Sequence, residues 1–546
     1  MVLAYPQASL IANREVPGPF TVATVNPATE EVLAEVTALD GEGAHLAVEA
    51  ALRAFPSWSR TTLRQRQEFL AAWLKVLVKR REELARLVAL EGGKPMTEAL
   101  LVDLFPACET LAYLARQLPC LLQPRPTPPE QILFAHWQAA YRFEPLGVVA
   151  IITPWNYPVA IPVVEIAQAL ACGNTVVFKP ASATVLTGLA LADTLRQAGL
   201  PPGVVNTVVL RGADTHALVE DPRVAKVLFT GSVEVGRQVA RRAAERLCPV
   251  QLELGGKDAA VVAADAPLER TAHGLLWGAL QNTGQTCASI ERVYVEKPLF
   301  EPLVERVVQL VRTLRVGDPL EPCTDLGPMT TAEQREVVAR QVEEAKAGGA
   351  QVLTGGYLPE GKGFFYPPTV LVGVREEMAV MREETFGPVL PLVPVDSLEE
   401  GIARANASPF GLTASGWTSS KKTARKLVEE LSAGVVTINE HVVSFAEPTA
   451  SWGGVRQSGI GRSHGFFGLL ELVNLKYVAE SYPRRLSPWY YPYDEDKGNF
   501  LRAAFAARYA GTSSKAAALW ALTRTRTFWS RVRRRTLLLH WPRLFR

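Results

Sequence analysis

Two residues with catalytic chemistry, Cys287 and Glu253, stand 34 positions apart in the chain. Cys287 closes the loop Gly284-Gln285-Thr286-Cys287, which follows a predicted helix over Leu268–Gln281. A thiolate is a strong nucleophile and a loop with glycine can expose it, whereas a lone cysteine is most often a buried, inert side chain. The nearest histidine, His273, belongs to that predicted helix, so a Cys-His protease has little support. Cys287 is therefore a candidate nucleophile.

Glu253 and Asn156 each follow or end a predicted strand. Glu253 opens Glu253-Leu254-Gly255-Gly256-Lys257, and the two glycines let the backbone approach a bound group closely. Asn156, in Pro154-Trp155-Asn156-Tyr157-Pro158, can donate its amide N–H to a developing oxyanion. A surface glutamate before a turn and a turn asparagine are the alternatives for these two residues. The positions favour a general base and an oxyanion donor.

A third motif indicates an anion site. In Phe229-Thr230-Gly231-Ser232-Val233-Glu234-Val235-Gly236 a predicted strand runs through a glycine turn into a helix, whose free N–H groups suit a pyrophosphate. The motif lacks the GxGxxG spacing, so alone it is a weak signal. Lys179, after the predicted strand Thr175–Phe178, adds a cation at the same edge of the sheet.

The elements that must position these residues alternate in type from about residue 145 onward. Short apolar runs of this kind are typical of parallel strands that are covered on both faces. The alternation predicts a doubly wound α/β fold with about five parallel strands, and ligands bind beyond the carboxyl ends of such strands. The predicted strands are Val148–Ile152, Thr175–Phe178, Val204–Val209, Val224–Phe229 and Pro249–Leu254, and the predicted helices are Val159–Leu170, Thr184–Ala198, Ala213–Val219 and Val233–Leu247.

Other segments surround this unit. Leu63–Glu91 has the pattern of long amphipathic helices, and residues 256–465 form a second α/β block. Within that block, Thr330 and Glu333 predict a capping box at the start of a helix.

Composition bounds the class of protein. The chain has 546 residues, 48% hydrophobic and 21% charged, which predicts two or three globular domains. The six cysteines form no CxxC pair, so we expect neither disulfides nor a metal site. This cysteine usage is typical of a protein in a reducing compartment. The N-terminus lacks a charged start followed by an apolar stretch, so we expect no signal peptide, and no apolar run is long enough to span a bilayer. These features predict a cytoplasmic protein.

Seven short blocks of residues, the motifs above and two more, occur in the same order as in a known family. Across residues 15–480 the sequence resembles the NAD(P)-dependent aldehyde dehydrogenase superfamily. The blocks are Pro154-Trp155-Asn156, Lys179-Pro180, Phe229-Thr230-Gly231-Ser232, Glu253-Leu254-Gly255-Gly256-Lys257, Gly284-Gln285-Thr286-Cys287, Glu384-Thr385-Phe386-Gly387-Pro388 and Ser458-Gly459-Ile460-Gly461.

The resemblance implies a mechanism. Cys287 attacks an aldehyde carbon, and the Asn156 side chain and the Cys287 N–H hold the oxygen of the thiohemiacetal. Hydride transfer to the nicotinamide leaves a thioester, and Glu253 activates the water that hydrolyses it. A glutamate at position 253 argues against the branch that transfers the acyl group to coenzyme A.

The resemblance also implies a cofactor site for NAD or NADP. It places Lys179 on the adenosine ribose, Gly231 and Ser232 at the pyrophosphate, and Glu384 and Phe386 beside the nicotinamide ribose. The remaining implied cofactor residues are Trp155, Leu254, Gly236 and Ser182. Ser182 stands where NAD-preferring relatives often carry a glutamate, and a serine does not repel a 2′-phosphate. We therefore expect NADP to be accepted at least as well as NAD.

The residues that follow Asn156 bear on the substrate. Tyr157, Ile161 and Val164 follow Asn156 on the predicted helix, without an arginine that could hold a second carboxylate. This pattern favours apolar aliphatic or aromatic aldehydes over succinic semialdehyde. A non-catalytic scaffold is the competing class, but it has no need to keep Cys287 and Glu253 together with Asn156 and Lys179.

The resemblance further implies a domain organisation. Residues 1–121 and 144–255 are expected to bind the dinucleotide and residues 256–465 to complete the catalytic site. Residues 122–143 and 466–480 are expected to assemble a homodimer or homotetramer.

Residues 481–546 form a basic extension with 14 Lys/Arg against 3 Asp/Glu. Asn499–Ala510, closed by Gly511, and Ser514–His540, stopped by Pro542, are predicted helices. Three roles stay open: an arm that packs on its own or a neighbouring subunit, a helix that lies on an anionic membrane, and nucleic-acid binding. The last is disfavoured because no recognisable module accompanies the basic residues.

Overall fold

The computed structural model describes residues 6–131, 134, 137–482, 489–509 and 511–525. They form two compact units, one of Met1–Leu122 and Glu144–Asn474 and another of Gln123–Phe143 and Leu475–Arg546. The strands are, in chain order, β1 (Ser9–Ile11), β2 (Arg14–Val16), β3 (Phe20–Val25), β4 (Val32–Ala38), β5 (Arg125–Pro126), β6 (Gln138–Pro145), β7 (Val148–Ile152), β8 (Thr175–Lys179), β9 (Val205–Thr207), β10 (Val224–Thr230), β11 (Val250–Glu253), β12 (Asp258–Val262), β13 (Ile290–Glu296), β14 (Gln351–Thr354), β15 (Thr369–Val372), β16 (Val389–Val395), β17 (Thr413–Trp417), β18 (Val435–Ile438), β19 (Gly459–Ile460) and β20 (Val473–Glu480).

The helices alternate with these strands. They are α1 (Gly41–Trp58), α2 (Leu63–Lys79), α3 (Arg81–Gly92), α4 (Met96–Glu98), α5 (Phe105–Leu122), α6 (Ala160–Ala171), α7 (Val185–Gln197), α8 (His216–Glu220), α9 (Val233–Ala244), α10 (Leu268–Leu280), α11 (Lys297–Val311), α12 (Ala332–Ala347), α13 (Ala379–Arg382), α14 (Leu398–Asn406), α15 (Lys421–Glu430), α16 (Gly465–Leu470), α17 (Glu495–Tyr509) and α18 (Thr512–Thr523). A short π-helical segment, Ala99–Leu104, leads into α5.

The first sheet has eight strands in the order β19-β11-β10-β7-β8-β9-β1-β2. Its five central strands, β11 to β9, are parallel, which confirms the predicted doubly wound sheet. β1 and β19 add antiparallel edges to β9 and β11. The strand order reverses beside β7, and at such a switch point the loops after neighbouring strands part to form a ligand crevice. The loops after β7, β10 and β11 carry Asn156, Gly231 and Leu254.

The second sheet has seven strands in the order β14-β15-β16-β13-β12-β17-β18. All of its pairs are parallel except β14 with β15. The Cys287 loop joins α10 to β13, and Glu384 precedes β16. The predicted nucleophile therefore lies in a loop that connects to a strand of this second sheet.

One predicted cap was wrong by one residue. The helix α12 is capped by Thr331, whose hydroxyl oxygen accepts the N–H of Gln334 at 3.2 Å, and not by Thr330 and Glu333. Thr330 is engaged elsewhere, because its hydroxyl donates to the Gly92 carbonyl at 2.7 Å and its N–H to the Gln285 side chain at 2.9 Å.

The smaller unit contains the three-stranded sheet β20-β6-β5 and a pair of helices, α17 and α18. α17 begins four residues earlier than predicted because Asp494 accepts the N–H of Lys497 at 2.8 Å. α18 ends at Thr523, although the prediction ran to His540, and the hydroxyl of Thr525 donates to the Leu522 carbonyl at 2.8 Å. The part of that prediction beyond residue 525 lies outside the described residues. Within the described ranges, no helix is long and apolar enough to cross a bilayer.

Candidate active site

The loop that carries Cys287 is built from unusual backbone conformations. Asn282 and Thr283 both have φ of +54°, and Gly284 follows with φ of +71°. A Cβ at Gly284 would lie 2.1 Å from the Gly387 carbonyl oxygen, so this position requires glycine. Within the buried run of residues 281–290, Cys287 alone is partly exposed. The fold thus opens the sulfur of this cysteine to a cavity.

The surroundings of Cys287 keep its thiol protonated. Burial raises the pKa of Cys287 well above that of a free thiol, and the carboxylates of Asp258, Glu384 and Glu253 raise it further. Among the described residues, no acceptor takes the backbone N–H of Cys287. A thiolate here requires a base or a nearby positive charge, and the free N–H can serve an oxyanion.

Asn156 is held against the Cys287 loop from two sides. Its Nδ2 donates to the Gln285 carbonyl at 3.0 Å, and its Oδ1 has no partner among the described residues. Its own carbonyl accepts hydrogen bonds from Lys94 Nζ at 2.9 Å and Asn282 Nδ2 at 3.1 Å. The second amide hydrogen of Asn156 is left for a ligand.

Lys94 and Asp103 form a fully buried ion pair beneath Asn156. Asp103 Oδ1 also accepts the N–H groups of Val159 and Ala160, at 3.2 and 3.0 Å, where α6 begins. The Lys94 ammonium lies 3.9 Å from the centre of the Tyr157 ring. This pair fixes the segment that presents Asn156.

Glu253, at the end of β11, is 7% exposed, and both of its carboxyl oxygens are buried without a partner within the described chain. Burial raises the pKa of Glu253 well above its usual range, and Glu165 raises it further, while Arg462 opposes both effects. A carboxylate with a raised pKa is a stronger base. Glu253 therefore suits the removal of a proton from water.

The three predicted catalytic residues line one cavity of about 250 Å³. Six of the predicted cofactor residues line it as well: Trp155, Gly231, Ser232, Leu254, Glu384 and Phe386. Three others lie outside its wall. Lys179 ends β8, Ser182 begins a 3₁₀ turn, and Gly236 lies within α9, where a Cβ would meet the Leu254 side chain at 2.4 Å.

The cavity wall, together with residues beside it, fits a dinucleotide. Ser232 caps α9, a helix of 12 residues whose first N–H groups suit a phosphate. The side-chain nitrogen of Lys179 has no ion pair or hydrogen bond among the described residues, and burial lowers the pKa of Lys179 to about 8. A Cβ at Gly255 would lie 2.4 Å from Glu384 Oε2, so glycine lets these two segments meet. A buried cation without a partner is the kind of group that polar hydroxyls of a ribose would satisfy.

Glu291 fixes the segment that contains Glu384 and Phe386. It accepts the N–H groups of Thr385 and Phe386, each at 2.8 Å, and pairs with Lys257 at 2.6 Å. Burial and the Glu291 charge raise the pKa of Glu384 to about 8. The Phe386 ring meets Trp155 edge-on, with centroids 5.5 Å apart.

A second cavity, of about 400 Å³, reaches Cys287 from another side. Its wall is largely apolar, and its polar side chains are uncharged. The lining residues are Leu101, Val102, Phe105, Pro106, Tyr157, Ile161, Trp277, Gln281, Thr286, Cys287, Ala288, Val442, Val443, Phe445, Ala446 and Trp452. Cys287 therefore stands where this apolar cavity meets the cavity that Asn156 and Glu253 line.

Several residues of the site escaped the sequence analysis. Lys94, Asp103 and Glu291 reach the site through packing between distant segments, which no local pattern marks. Phe445 lies in a 3₁₀ turn without a motif. Glu165 had a signal, since it is a lone charge in the apolar run of α6.

Comparisons with known proteins match most of the chain. A family model described as the aldehyde dehydrogenase family matches residues 17–478. A mitochondrial succinate-semialdehyde dehydrogenase of Oryza sativa subsp. japonica is 37% identical, over 84% of this chain and 86% of its own. Retinaldehyde dehydrogenase 3 of Homo sapiens is 38% identical, over 84% and 89%.

Solved structures of similar proteins have the same fold. The NAD⁺ complex of an aldehyde dehydrogenase from Bacillus cereus has a TM-score of 0.84 and 36% identity, with 88% of this chain and 97% of that chain covered. An E. coli NADP-dependent enzyme has a TM-score of 0.84 and 33% identity, with 88% and 98% covered.

Proposed function

The chain belongs to the aldehyde dehydrogenase family, and on this premise we propose that it oxidises apolar aldehydes with Cys287 as nucleophile, Asn156 as oxyanion donor and Glu253 as base. The general reaction, oxidation of an aldehyde to a carboxylic acid with NAD or NADP, is that of the family. The observation that carries the residue roles is the presence of all three side chains on one cavity wall.

In the first half of the reaction, the Cys287 thiol gives up its proton to a water molecule, its sulfur forms a bond to the aldehyde carbon, and the carbonyl electron pair moves to oxygen. The free N–H of Cys287 and the second amide hydrogen of Asn156 donate to that oxygen. When bound, NAD or NADP supplies the acceptor for the hydride. Lys179, Ser232 and Glu384 would hold this cofactor.

In the second half, a thioester on Cys287 is hydrolysed. Glu253 takes a proton from water, the hydroxide adds to the acyl carbon, and the carbon–sulfur bond breaks as the thiolate leaves. The product is the carboxylic acid, and the proton is left on Glu253. The raised pKa of Glu253 suits it to this step.

The apolar cavity supports the choice of substrate. No lysine, arginine or histidine is among the described residues that line it, so a second carboxylate would be buried without a partner. Relatives named for succinate semialdehyde make that compound the natural competitor. We expect hexanal and benzaldehyde to have a kcat/KM at least 10-fold above that of succinic semialdehyde. A substrate panel in which succinic semialdehyde ranks first would overturn the proposal.

Ser182 supports the acceptance of NADP. It lies in a half-buried 3₁₀ turn three residues after Lys179, without a carboxylate to repel a 2′-phosphate. We expect kcat/KM for NADP to equal or exceed that for NAD, and Ser182→Glu to lower the NADP value selectively. A strong NAD preference in the unaltered protein would contradict this.

The domain and assembly roles predicted from the sequence stay proposals. β6 and β20 pair in a sheet in which the Tyr141 and Tyr477 rings, both exposed, lie 5.4 Å apart. Exposed aromatic side chains on a sheet suit a subunit interface. Light scattering on the purified protein should give the mass of a dimer or tetramer, and a monomer mass would reject the proposal.

For the basic extension we favour contact with an anionic bilayer. Tyr491, Phe505 and Trp520 are 79%, 69% and 62% exposed, and Arg524 lies 4.4 Å from the Trp520 ring centre. Exposed aromatic side chains beside cations are typical of membrane-surface helices. Vesicles with anionic lipid should co-sediment the protein and neutral vesicles should not. Phe505→Ser/Trp520→Ser should weaken this binding, and equal recovery with both vesicle types would contradict it.

A further inference from the structure

Glu165 is a carboxyl group that the proposed steps leave unused. It lies in the middle of α6, in which every residue from Ala160 to Ala171 is buried, and it is 3% exposed. Its Oε2 has no partner within the described chain, and its side chain lines the same cavity as Glu253 and Cys287. Burying an ionisable side chain in an apolar helix costs folding free energy unless the group has hydrogen-bond or ion-pair partners, so its presence here indicates a function.

Thr230 links Glu165 to Glu253. The Thr230 hydroxyl donates to Glu165 Oε1 at 3.1 Å. Thr230 and Glu253 are paired residues on the neighbouring parallel strands β10 and β11, and the N–H of Gly231 donates to the Glu253 carbonyl at 3.0 Å. Adjacent strands are about 4.8 Å apart. Both carboxyl groups therefore face one polar corner of the cavity, with three of their four oxygens free to accept or hold a proton.

The other charged groups around this corner are engaged or neutral. Glu471 pairs with Lys226 at 2.5 Å, and Arg462 donates to the carbonyls of Gly454 and Gly461. Burial lowers the pKa of His464 to about 4, so its ring is uncharged near neutral pH. Glu384 is turned to the Gly256 N–H, which it accepts at 3.1 Å.

The charges at the two ends of α6 are also engaged. Lys94 and Asp103 pair where α6 begins, and Arg66 donates to the Ala171 carbonyl at its last residue. Cys287, the remaining titratable group on the cavity wall, is occupied by the acyl group when the proton must move. Glu165 is thus the group left to exchange a proton with Glu253.

We propose that Glu165 is a positioning residue that accepts the proton from Glu253 in each hydrolysis, after water has added to the acyl carbon and before the carbon–sulfur bond breaks. The O–H bond on Glu253 breaks, an O–H bond forms on Glu165, and no other bond or electron pair changes. The transfer runs directly or through one water, and it returns Glu253 to its basic form inside a buried site. Glu165 then gives the proton to water in the cavity before the next turnover. Two carboxyl groups in such a site share one proton, since burial and their mutual repulsion disfavour two charges.

This inference rests on the proposed role of Glu253, and the experiment separates the two. The variants are Glu165→Gln, which keeps the hydrogen bond from Thr230 but holds no exchangeable acid proton, and Glu165→Asp, which restores a carboxyl group. Gln168→Leu, at a buried polar position one turn along α6, is the matched control. Each is assayed for the rapid first turnover of NAD(P)H, for steady-state kcat and for the pH profile of kcat.

Glu165→Gln should keep the first turnover within about 2-fold and lower steady-state kcat on the order of 10- to 100-fold, so that a burst appears. The acid limb of its pH profile should move to lower pH by about one pH unit, because Glu253 loses a repelling neighbour. Glu165→Asp should recover much of kcat, and Gln168→Leu should show neither change.

An unchanged kcat and pH profile in Glu165→Gln would overturn the inference, as would an equal loss in burst and steady state. The proposed function is tested in parallel by Glu253→Gln. If that variant loses turnover while Glu165→Gln behaves as wild type, only the inference fails. If Glu253→Gln turns over normally, the proposed role of Glu253 itself fails.

Discussion

The side-chain nitrogen of Asn156 donates to the carbonyl of Gln285, two residues before Cys287, across 3.0 Å. This bond joins the loop after β7 of the first sheet to a loop that leads into β13 of the second. The distance between the oxyanion donor and the nucleophile is therefore set by a direct contact between these two loops, one from each sheet. Correct placement of such donors is worth several kcal/mol because they need no rearrangement during the reaction.

Replacing Asn156 by alanine should lower kcat on the order of 10²- to 10³-fold. The backbone carbonyl that Lys94 and Asn282 hold is unchanged, so the loop should keep its position. The first-turnover rate of NAD(P)H formation measures the effect, and cofactor affinity serves as the control. A first turnover within 3-fold of wild type would show that the amide does not act on the oxyanion.

The sequence predicted the five parallel strands and the motifs at their carboxyl ends because both depend on local patterns. Asn156 and Glu253 could be placed at one sheet edge, since parallel strands end on the same side. The ion pair of Lys94 and Asp103 could not be predicted, because it depends on how the chain packs beneath α6. The predicted cap of α12 was wrong because two threonines, Thr330 and Thr331, stand side by side in the sequence. Only the structure shows that the Thr330 hydroxyl donates to the Gly92 carbonyl and so cannot cap the helix.

Cys287 should be alkylated slowly in the cofactor-free protein. Burial and three carboxylates raise its pKa above the usual value, so the thiolate fraction near pH 8 is small and grows about tenfold per pH unit. Iodoacetamide labelling with peptide mass spectrometry should show Cys120 and Cys323, which are exposed, reacting first at pH 8. The Cys287 rate should still be rising at pH 10. Preferential labelling of Cys287 at pH 7 would contradict this expectation.

Glu253→Gln should permit one turnover and block the next. Glutamine fits the same space but cannot take a proton from water, so the thioester should accumulate and kcat should fall at least 100-fold. Mass spectrometry of the protein quenched after aldehyde and cofactor should show the acyl adduct on Cys287. Cys287→Ala provides the control without an adduct. Absence of the adduct together with normal turnover would exclude hydrolysis through this glutamate.

Lys94→Met should destabilise the fold by about 3–5 kcal/mol, since it leaves the Asp103 carboxylate buried without its cation. The double variant Lys94→Met/Asp103→Leu should recover part of that stability, because it buries no unpaired charge. Urea unfolding followed by circular dichroism measures both. Equal destabilisation of the single and double variants would show that the pair contributes through shape and not through charge.

Gly255→Ala should weaken the cofactor site while leaving the fold intact. The added Cβ would lie 2.4 Å from one carboxylate oxygen of Glu384 and 2.5 Å from the other, so Glu384 must move away. Overpacking of this kind costs about 1–3 kcal/mol, which corresponds to a rise of roughly 5- to 150-fold in the Kd for NAD or NADP when the cost falls on the bound state. Gly212→Ala is the matched control, because a Cβ at Gly212 meets no atom within 4 Å and its backbone is not left-handed. Isothermal titration of both variants with each cofactor, alongside their Tm values, tests this. If Gly255→Ala bound the cofactor as tightly as Gly212→Ala at equal Tm, the contact between Gly255 and Glu384 would have no part in cofactor binding.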